Sequence, residues 1–183
     1  DAGAGTSIEY DVTRADAFPT VEGPIDGLVY CPGSINLKPF HRLSIEEFVA
    51  DMNVNLYGAV RAIQALLPNL KESGDGSVVL FSTVAVQTGM GFHASIAAAK
   101  GAIEGLTSSL AADLAPKIRV NCIAPSLTDT PLAEKLINTP DTREAMAGRK
   151  KKKKVGSAEE VASVAEFLLS ERSAWMTGQI VHV

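Results

Sequence analysis

The stretch Ser77-Val78-Val79-Leu80-Phe81-Ser82 decides the fold. It is a continuous apolar run rich in β-branched residues, without the polar-apolar alternation of a half-exposed strand, and it fits a strand covered on both faces. Gly27-Leu28-Val29-Tyr30-Cys31 has the same character, so both runs read as interior strands flanked by other strands. Further strands are predicted at Ser7–Asp11, Arg119–Ala124 and Gln179–Val183. Helical periodicity fills the intervals at about Ile45–Leu70, His93–Leu114, Pro131–Gly148 and Ala158–Ser170. The first helix is expected to be interrupted or kinked near Asn53–Asn55, where asparagine competes for backbone bonds, and to end near Pro68. Gly156-Ser157-Ala158-Glu159-Glu160 carries the capping signature that opens the last helix. Strands and helices alternating in this way predict an α/β fold, a doubly wound Rossmann-type parallel sheet with any ligand at the carboxyl ends of the strands.

Composition agrees with one such domain over 1–183, without internal repeat or linker. The 183 residues are 46% hydrophobic and 21% charged, which excludes a disordered chain and allows a sizeable core. No apolar run reaches the ~18 residues of a membrane span, and no charged-then-apolar N-terminal stretch suggests secretion, so the expected location is the cytoplasm. A net charge of -4 argues against a nucleic-acid surface. The basic hexapeptide Arg149–Lys154 reads as a solvated loop. Cys31 and Cys122 lie in apolar strand-like runs rather than in a Cys/His cluster, so they read as reduced core residues, with neither a disulfide nor a metal site.

Four segments carry a family resemblance. Phe92-His93-Ala94-Ser95-Ile96-Ala97-Ala98-Ala99-Lys100-Gly101-Ala102-Ile103-Glu104-Gly105-Leu106 resembles the active-site helix of the short-chain dehydrogenase/reductase family. Upstream, Ser82-Thr83-Val84-Ala85 resembles that family's strand-end serine motif, with Thr83 at the serine position. Asn55-Leu56-Tyr57-Gly58 resembles its NxxG, and Arg119 to Thr130 resembles the segment that runs past a nicotinamide. Weaker matches extend the likeness: Tyr10-Asp11-Val12-Thr13 to the adenine-bracketing DVT, Tyr30-Cys31-Pro32-Gly33 to NNAG, and Met176-Thr177-Gly178-Gln179 to TGQ. The glycine-rich phosphate loop TGxxxGxG has no counterpart, and Gly3 and Gly5 do not replace it. Because doubly wound order places two strands between Ser7–Asp11 and Gly27–Cys31, an N-terminal βαβα unit is expected to be absent from this chain, and a short C-terminal tail likewise.

The resemblance implies NAD or NADP as cofactor and hydride transfer to or from a small carbonyl or alcohol substrate. It also implies a homodimer or homotetramer packed through the helices around Ile45–Leu70 and His93–Leu114. Asn55, Thr83 and Lys100 take the catalytic positions, with Asp11, Val12, Cys31, Gly33, Lys100, Pro125, Leu127, Thr128 and Thr130 at the cofactor. The family's proton donor is a tyrosine four residues before the lysine, and that position holds Ile96, which neither donates nor accepts a proton. Ile96 is therefore read as an apolar wall of the substrate pocket, against the plain alternative of a core isoleucine. Losing a general acid costs about 10²–10⁴ in rate. Three outcomes stay open: His93 as substitute acid against His93 as a helix-start residue, a relay through Thr83 or a water held by Asn55 and Lys100, and a binding protein without turnover.

Overall fold

The computed structural model describes residues 5, 7–14, 18–148 and 153–183, the side chains of Lys135 and Met146 excepted. The chain order is strand β1 (Gly27–Val29), a 3₁₀ turn (Phe40–Arg42), helix α1 (Ile45–Met52), a π-helical segment (Asn53–Tyr57), helix α2 (Gly58–Ser73), strand β2 (Gly76–Phe81), and helices α3 (Ala85–Thr88) and α4 (Ala94–Leu114). There follow strands β3 (Ile118–Ala124) and β4 (Thr128–Asp129), a 3₁₀ turn (Pro131–Leu136), helix α5 (Pro140–Gly148), strand β5 (Gly156–Ser157), helix α6 (Ala158–Leu169), a 3₁₀ turn (Glu171–Ser173) and strand β6 (Ile180–His182).

Strands β1, β2, β3 and β6 form one parallel sheet in that order, with Leu28 opposite Val78, Leu80 opposite Cys122 and Ile123 opposite Val181. Alternation along the strands divides the core. Val78, Leu80, Val120 and Cys122 face Ala59, Ala62, Ile63 and Leu70 of α2 and Ile103 and Ala111 of α4. Val79 and Ile123 face Ala165 and Leu168 of α6. The central strands are buried along almost their whole length, as a two-sided parallel strand requires. On the α6 side, buried Arg119 donates to the carbonyls of Leu168 (2.9 Å), Ser170 (3.4 Å) and Ser173 (3.2 Å), so its guanidinium fastens the carboxyl end of α6 to β3.

Several expectations are corrected. Ser7–Asp11 forms no strand; it is largely exposed and has no ladder partner among the described residues, and an apolar run without a neighbouring strand cannot satisfy its backbone as one. The Gly27–Cys31 run gives only a three-residue strand, which lies at the sheet edge among the described residues, not in its interior. Cys31 lies beyond β1 and is exposed, while Cys122 is buried; both thiols are free. The helix expected to stop near Pro68 runs on to Ser73 and ends at left-handed Gly74 (φ 87°). An interior proline costs about 3 kcal/mol, but the turn beyond it is anchored: Leu70 is fully buried and the Asn69 amide donates to the carbonyls of Val21 (2.8 Å) and Gly23 (2.7 Å). The helix expected over Pro131–Gly148 is broken into a 3₁₀ turn and α5, because the residue before Pro140 is disfavoured in helical geometry. Of the interruption or kink expected near Asn53–Asn55, the interruption is present as the π-helical segment, and the capping box of α6 is formed by Ser157 and Glu160. Positions 149–152 of the basic hexapeptide lie outside the described residues; Lys154 pairs with Glu160.

Candidate functional site

The π-helical segment is the hub. Adding a residue to one turn offsets main-chain groups from the regular helical ladder, and such bulges collect at functional sites. Buried Tyr30, just past β1, donates its hydroxyl to the Val54 carbonyl (2.5 Å). Desolvation pushes its phenol up to about 12, so Tyr30 stays a neutral donor. That hydroxyl lies where a Cβ on residue 58 would stand, which explains why Gly58 carries no side chain. Arg61 donates to the Val12 carbonyl (2.6 Å) and the Asn53 carbonyl (3.5 Å), tying the Asp11-Val12 segment to the same hub.

Asn55 is fully buried. Its Nδ2 donates to Ser34 Oγ (2.9 Å) and to the Asp51 carbonyl (2.8 Å), and its Oδ1 has no partner among the described residues. A Cβ at Gly33 would stand 3.3 Å from Asn55 Oδ1 and 3.6 Å from Lys100 Nζ, so the amide and the ammonium meet at this glycine. Lys100 reaches the place from α4 and donates to the Phe81 carbonyl at the end of β2 (2.8 Å). Burial brings its ammonium down to about 8 from the ordinary 10.5, opposed by Cys122 and Cys31 nearby. Cys31 is exposed as a residue, yet partial shielding of its sulfur raises the thiol, against the pull of Lys100.

Ile96 is buried (5% exposed) one helical turn before Lys100 on α4. Thr83 lies two residues beyond β2, and its hydroxyl accepts the Ala85 N–H (3.3 Å), which starts α3. His93 is the N-cap residue of α4; its Nδ1 lies 2.6 Å from the Gly91 carbonyl and its own carbonyl accepts the Ala97 N–H (2.8 Å).

The facing wall is main-chain built. The Pro125 carbonyl accepts from Val84, the Leu127 carbonyl from Gly156, and Ser126 donates to the Val183 carbonyl. Thr128 bonds the Ser126 carbonyl (3.1 Å) and pairs with Gly156 in the two-stranded β4–β5 ribbon, after which Thr130 precedes the 3₁₀ turn and its carbonyl accepts the Ala133 N–H (2.9 Å). Asp11 is exposed and accepts from the Thr13 N–H (2.9 Å) and hydroxyl (2.7 Å), bonds that hold its carboxyl below the usual range. A groove of about 260 Å³ lined by Ile35, Leu37, Leu132 and Leu136 lies between the loop after Gly33 and the 3₁₀ turn. A larger cavity of about 320 Å³, beside fully exposed Trp175, includes Ile118 at the amino end of β3. It lies away from the strand ends where open α/β sheets take their ligands.

The sequence leads to the expectation that Asn55, Thr83 and Lys100 converge; Asn55 Oδ1 and Lys100 Nζ both approach Gly33, while the Thr83 hydroxyl is engaged by the Ala85 N–H. Sequence reasoning missed Tyr30, Ser34, Asp51 and Arg61 as members of the hub; only Asp51, one turn before Asn55, carried a local signal.

A parallel sheet with a polar cleft at its carboxyl edge, organised by buried Asn55 and half-buried Lys100, defines a Rossmann-type domain. Residues 7–183 match the family described as Enoyl-(Acyl carrier protein) reductase. The chain belongs to the short-chain dehydrogenase/reductase family. It is 36% identical to a tropinone reductase homolog of Arabidopsis thaliana over 92% of this chain and 64% of that protein, so it spans under two thirds of this relative's length. It is 32% identical to an inactive 2-(S)-hydroxypropyl-CoM dehydrogenase of Xanthobacter autotrophicus, over 99% of this chain and 82% of that one. The solved gluconate 5-dehydrogenase of Burkholderia cenocepacia, in complex with NADP and tartrate, superposes with a TM-score of 0.83 at 29% identity, covering 88% of this chain and 64% of that one. Among the described residues no helix is long and apolar enough to cross a membrane.

Proposed function

We propose that this chain is the catalytic-site portion of an NAD(P)-dependent oxidoreductase acting on a small carbonyl or alcohol, with a proton donor other than tyrosine. The observation that carries this reading is the meeting of Asn55 Oδ1 and Lys100 Nζ at Gly33. A nicotinamide nucleotide supplies the hydride. The residues fit such a group. Lys100 spends one bond on Phe81 and keeps donors for a ribose hydroxyl, Gly33 leaves room beside it, and Cys31 borders the same place. Asp11 and Val12 flank the adenine side, and Pro125, Leu127, Thr128 and Thr130 the nicotinamide side. Ile96 forms an apolar wall where the family's phenol stands. The proton then passes through His93, through Thr83, or through a water held by Asn55 and Lys100.

A second reading, a nucleotide-binding or regulatory protein without turnover, is favoured by Ile96 and by the likeness to a relative named inactive. Fluorescence titration of the full-length protein with NADH and NADPH comes first; saturable binding of either is expected, and its absence removes the enzyme reading. A carbonyl panel with Lys100→Ala and His93→Ala controls then separates the two readings: turnover lost in Lys100→Ala supports the enzyme, and binding without turnover the silent protein. We place the protein in the cytoplasm as a homodimer or homotetramer. The exposed side chains Phe40 (74%), Ile45 (73%) and Val49 (50%) on and before α1 give its surface apolar area to bury, and light scattering reads the mass.

A further inference from the structure

The cleft contains a buried polar chain that the reading above does not use. Asp51 is 3% exposed and accepts the Ser34 hydroxyl on Oδ1 (2.6 Å), while its Oδ2 has no partner among the described residues. A carboxyl oxygen buried without a partner is costly, so the position is poorly explained by stability alone.

The direction of each bond follows from donor inventory. The Ser34 hydroxyl donates to Asp51 Oδ1. Having spent its proton there, Ser34 Oγ accepts from Asn55, and the second Asn55 proton is taken by the Asp51 carbonyl. Both amide protons of Asn55 are thereby held on one side, and Oδ1 is turned to the other, toward Gly33 and Lys100. Reversing the amide would set its carbonyl oxygen against the Asp51 carbonyl and its protons toward an ammonium.

We infer that Asp51 and Ser34 are positioning residues: through Asn55 they fix a carbonyl dipole, negative end first, at the point where Lys100 enters the cofactor cleft. This rests on the reading that the cleft binds a nicotinamide nucleotide. Other groups facing Lys100 are Cys31 beyond β1, Cys122 on β3 and the Phe81 carbonyl on β2, while Glu104, one turn along α4, is engaged by Ser82 and Gln87. Ser34 and Asp51 therefore supply the orientation, and the thiols and the Phe81 carbonyl supply the remaining field.

The test uses the full-length protein with its lysines labelled at ¹³Cε, the Lys100 resonance being assigned by its loss in Lys100→Arg. Asp51→Asn, which keeps shape and removes the acceptor-only constraint, is expected to lower the Lys100 titration midpoint by about one pH unit, the scale of a nearby charge or dipole. NADPH affinity is expected to fall ~10-fold, as when a partner that orients a binding group is lost. Ser34→Ala should reproduce both effects and Ser34→Thr should restore parental values. Should Asp51→Asn fail to fold, Ser34→Ala carries the test, since it removes one hydroxyl. An unmoved midpoint in the folded variants overturns the inference, as does unchanged NADPH affinity where the parent binds. A parent that binds neither nucleotide sinks the cofactor reading, while the Lys100 midpoint still decides the positioning role.

Discussion

The wall of the cleft formed by the π-helical segment and α4 is held by buried side chains, whereas the wall from Pro125 to Thr130 is held chiefly by main-chain bonds to Val84, Gly156 and Val183. The first wall fixes particular functional groups and is intolerant of change. The second fixes a path for the backbone and leaves its side chains half-buried, with Asp129 exposed. A site divided in this way keeps the groups around Lys100 rigid and leaves the side chains of the second wall freer to change. The account therefore expects substitutions on the two walls to differ in size.

The largest effect is expected at Ile96. If the organised wall lacks only a phenol, Ile96→Tyr should raise carbonyl reduction by about 10²–10⁴, the usual contribution of a general acid. Steady-state kinetics check this, and no gain beside an efficient parent would mean that the proton travels elsewhere.

The next effect concerns pH. Burial brings Lys100 to about 8 from 10.5, so between those values the unfolded chain holds a proton that the folded chain has released, and stability rises with pH. The raised thiols of Cys31 and Cys122, ordinarily near 9.0, and the raised phenol of Tyr30, ordinarily near 10.0, act in the opposite sense at higher pH. Lys100→Met isolates the lysine. Relative to it, the parent should gain at most about 3 kcal/mol across this window in urea unfolding; parallel curves would contradict the burial of the ammonium.

A smaller loss is expected at Gly58, where a methyl group meets the Tyr30 hydroxyl. Gly58→Ala should destabilise by ~1–3 kcal/mol, the cost of overpacking, and Gly58→Ala with Tyr30→Phe should recover part of it. On the other wall Thr128→Val removes only a hydroxyl bond to the Ser126 carbonyl. About 1 kcal/mol or less is expected there. Equal losses at Gly58 and Thr128 would erase the contrast between the walls.

What the sequence disclosed follows the same division. The positions of Lys100, Ile96 and Asn55 in the site follow from the resemblance of their segments to the family's motifs, whereas the helix interruption follows from the poor fit of asparagine to a helix interior and β2 from its unbroken apolar run, both of them local signals. Ser34 with Asp51, Tyr30 with Val54 and Arg61 with Val12 pair groups that are far apart in the chain, and no periodicity announces them. Ser7–Asp11 has strand composition without a strand's neighbour. Pro68 reads as a helix end and Pro140 falls inside an expected helix, yet packing and the Asn69 amide hold the helix beyond the first, while the second begins a helix of its own.

Calorimetric titration of NADH and NADPH into the full-length protein and its Gly33→Val variant addresses the shared meeting point of Asn55 and Lys100 most directly. The account predicts saturable binding of at least one nucleotide by the parent and its loss in a variant that remains folded by circular dichroism. A folded Gly33→Val protein that binds as tightly as the parent would contradict it.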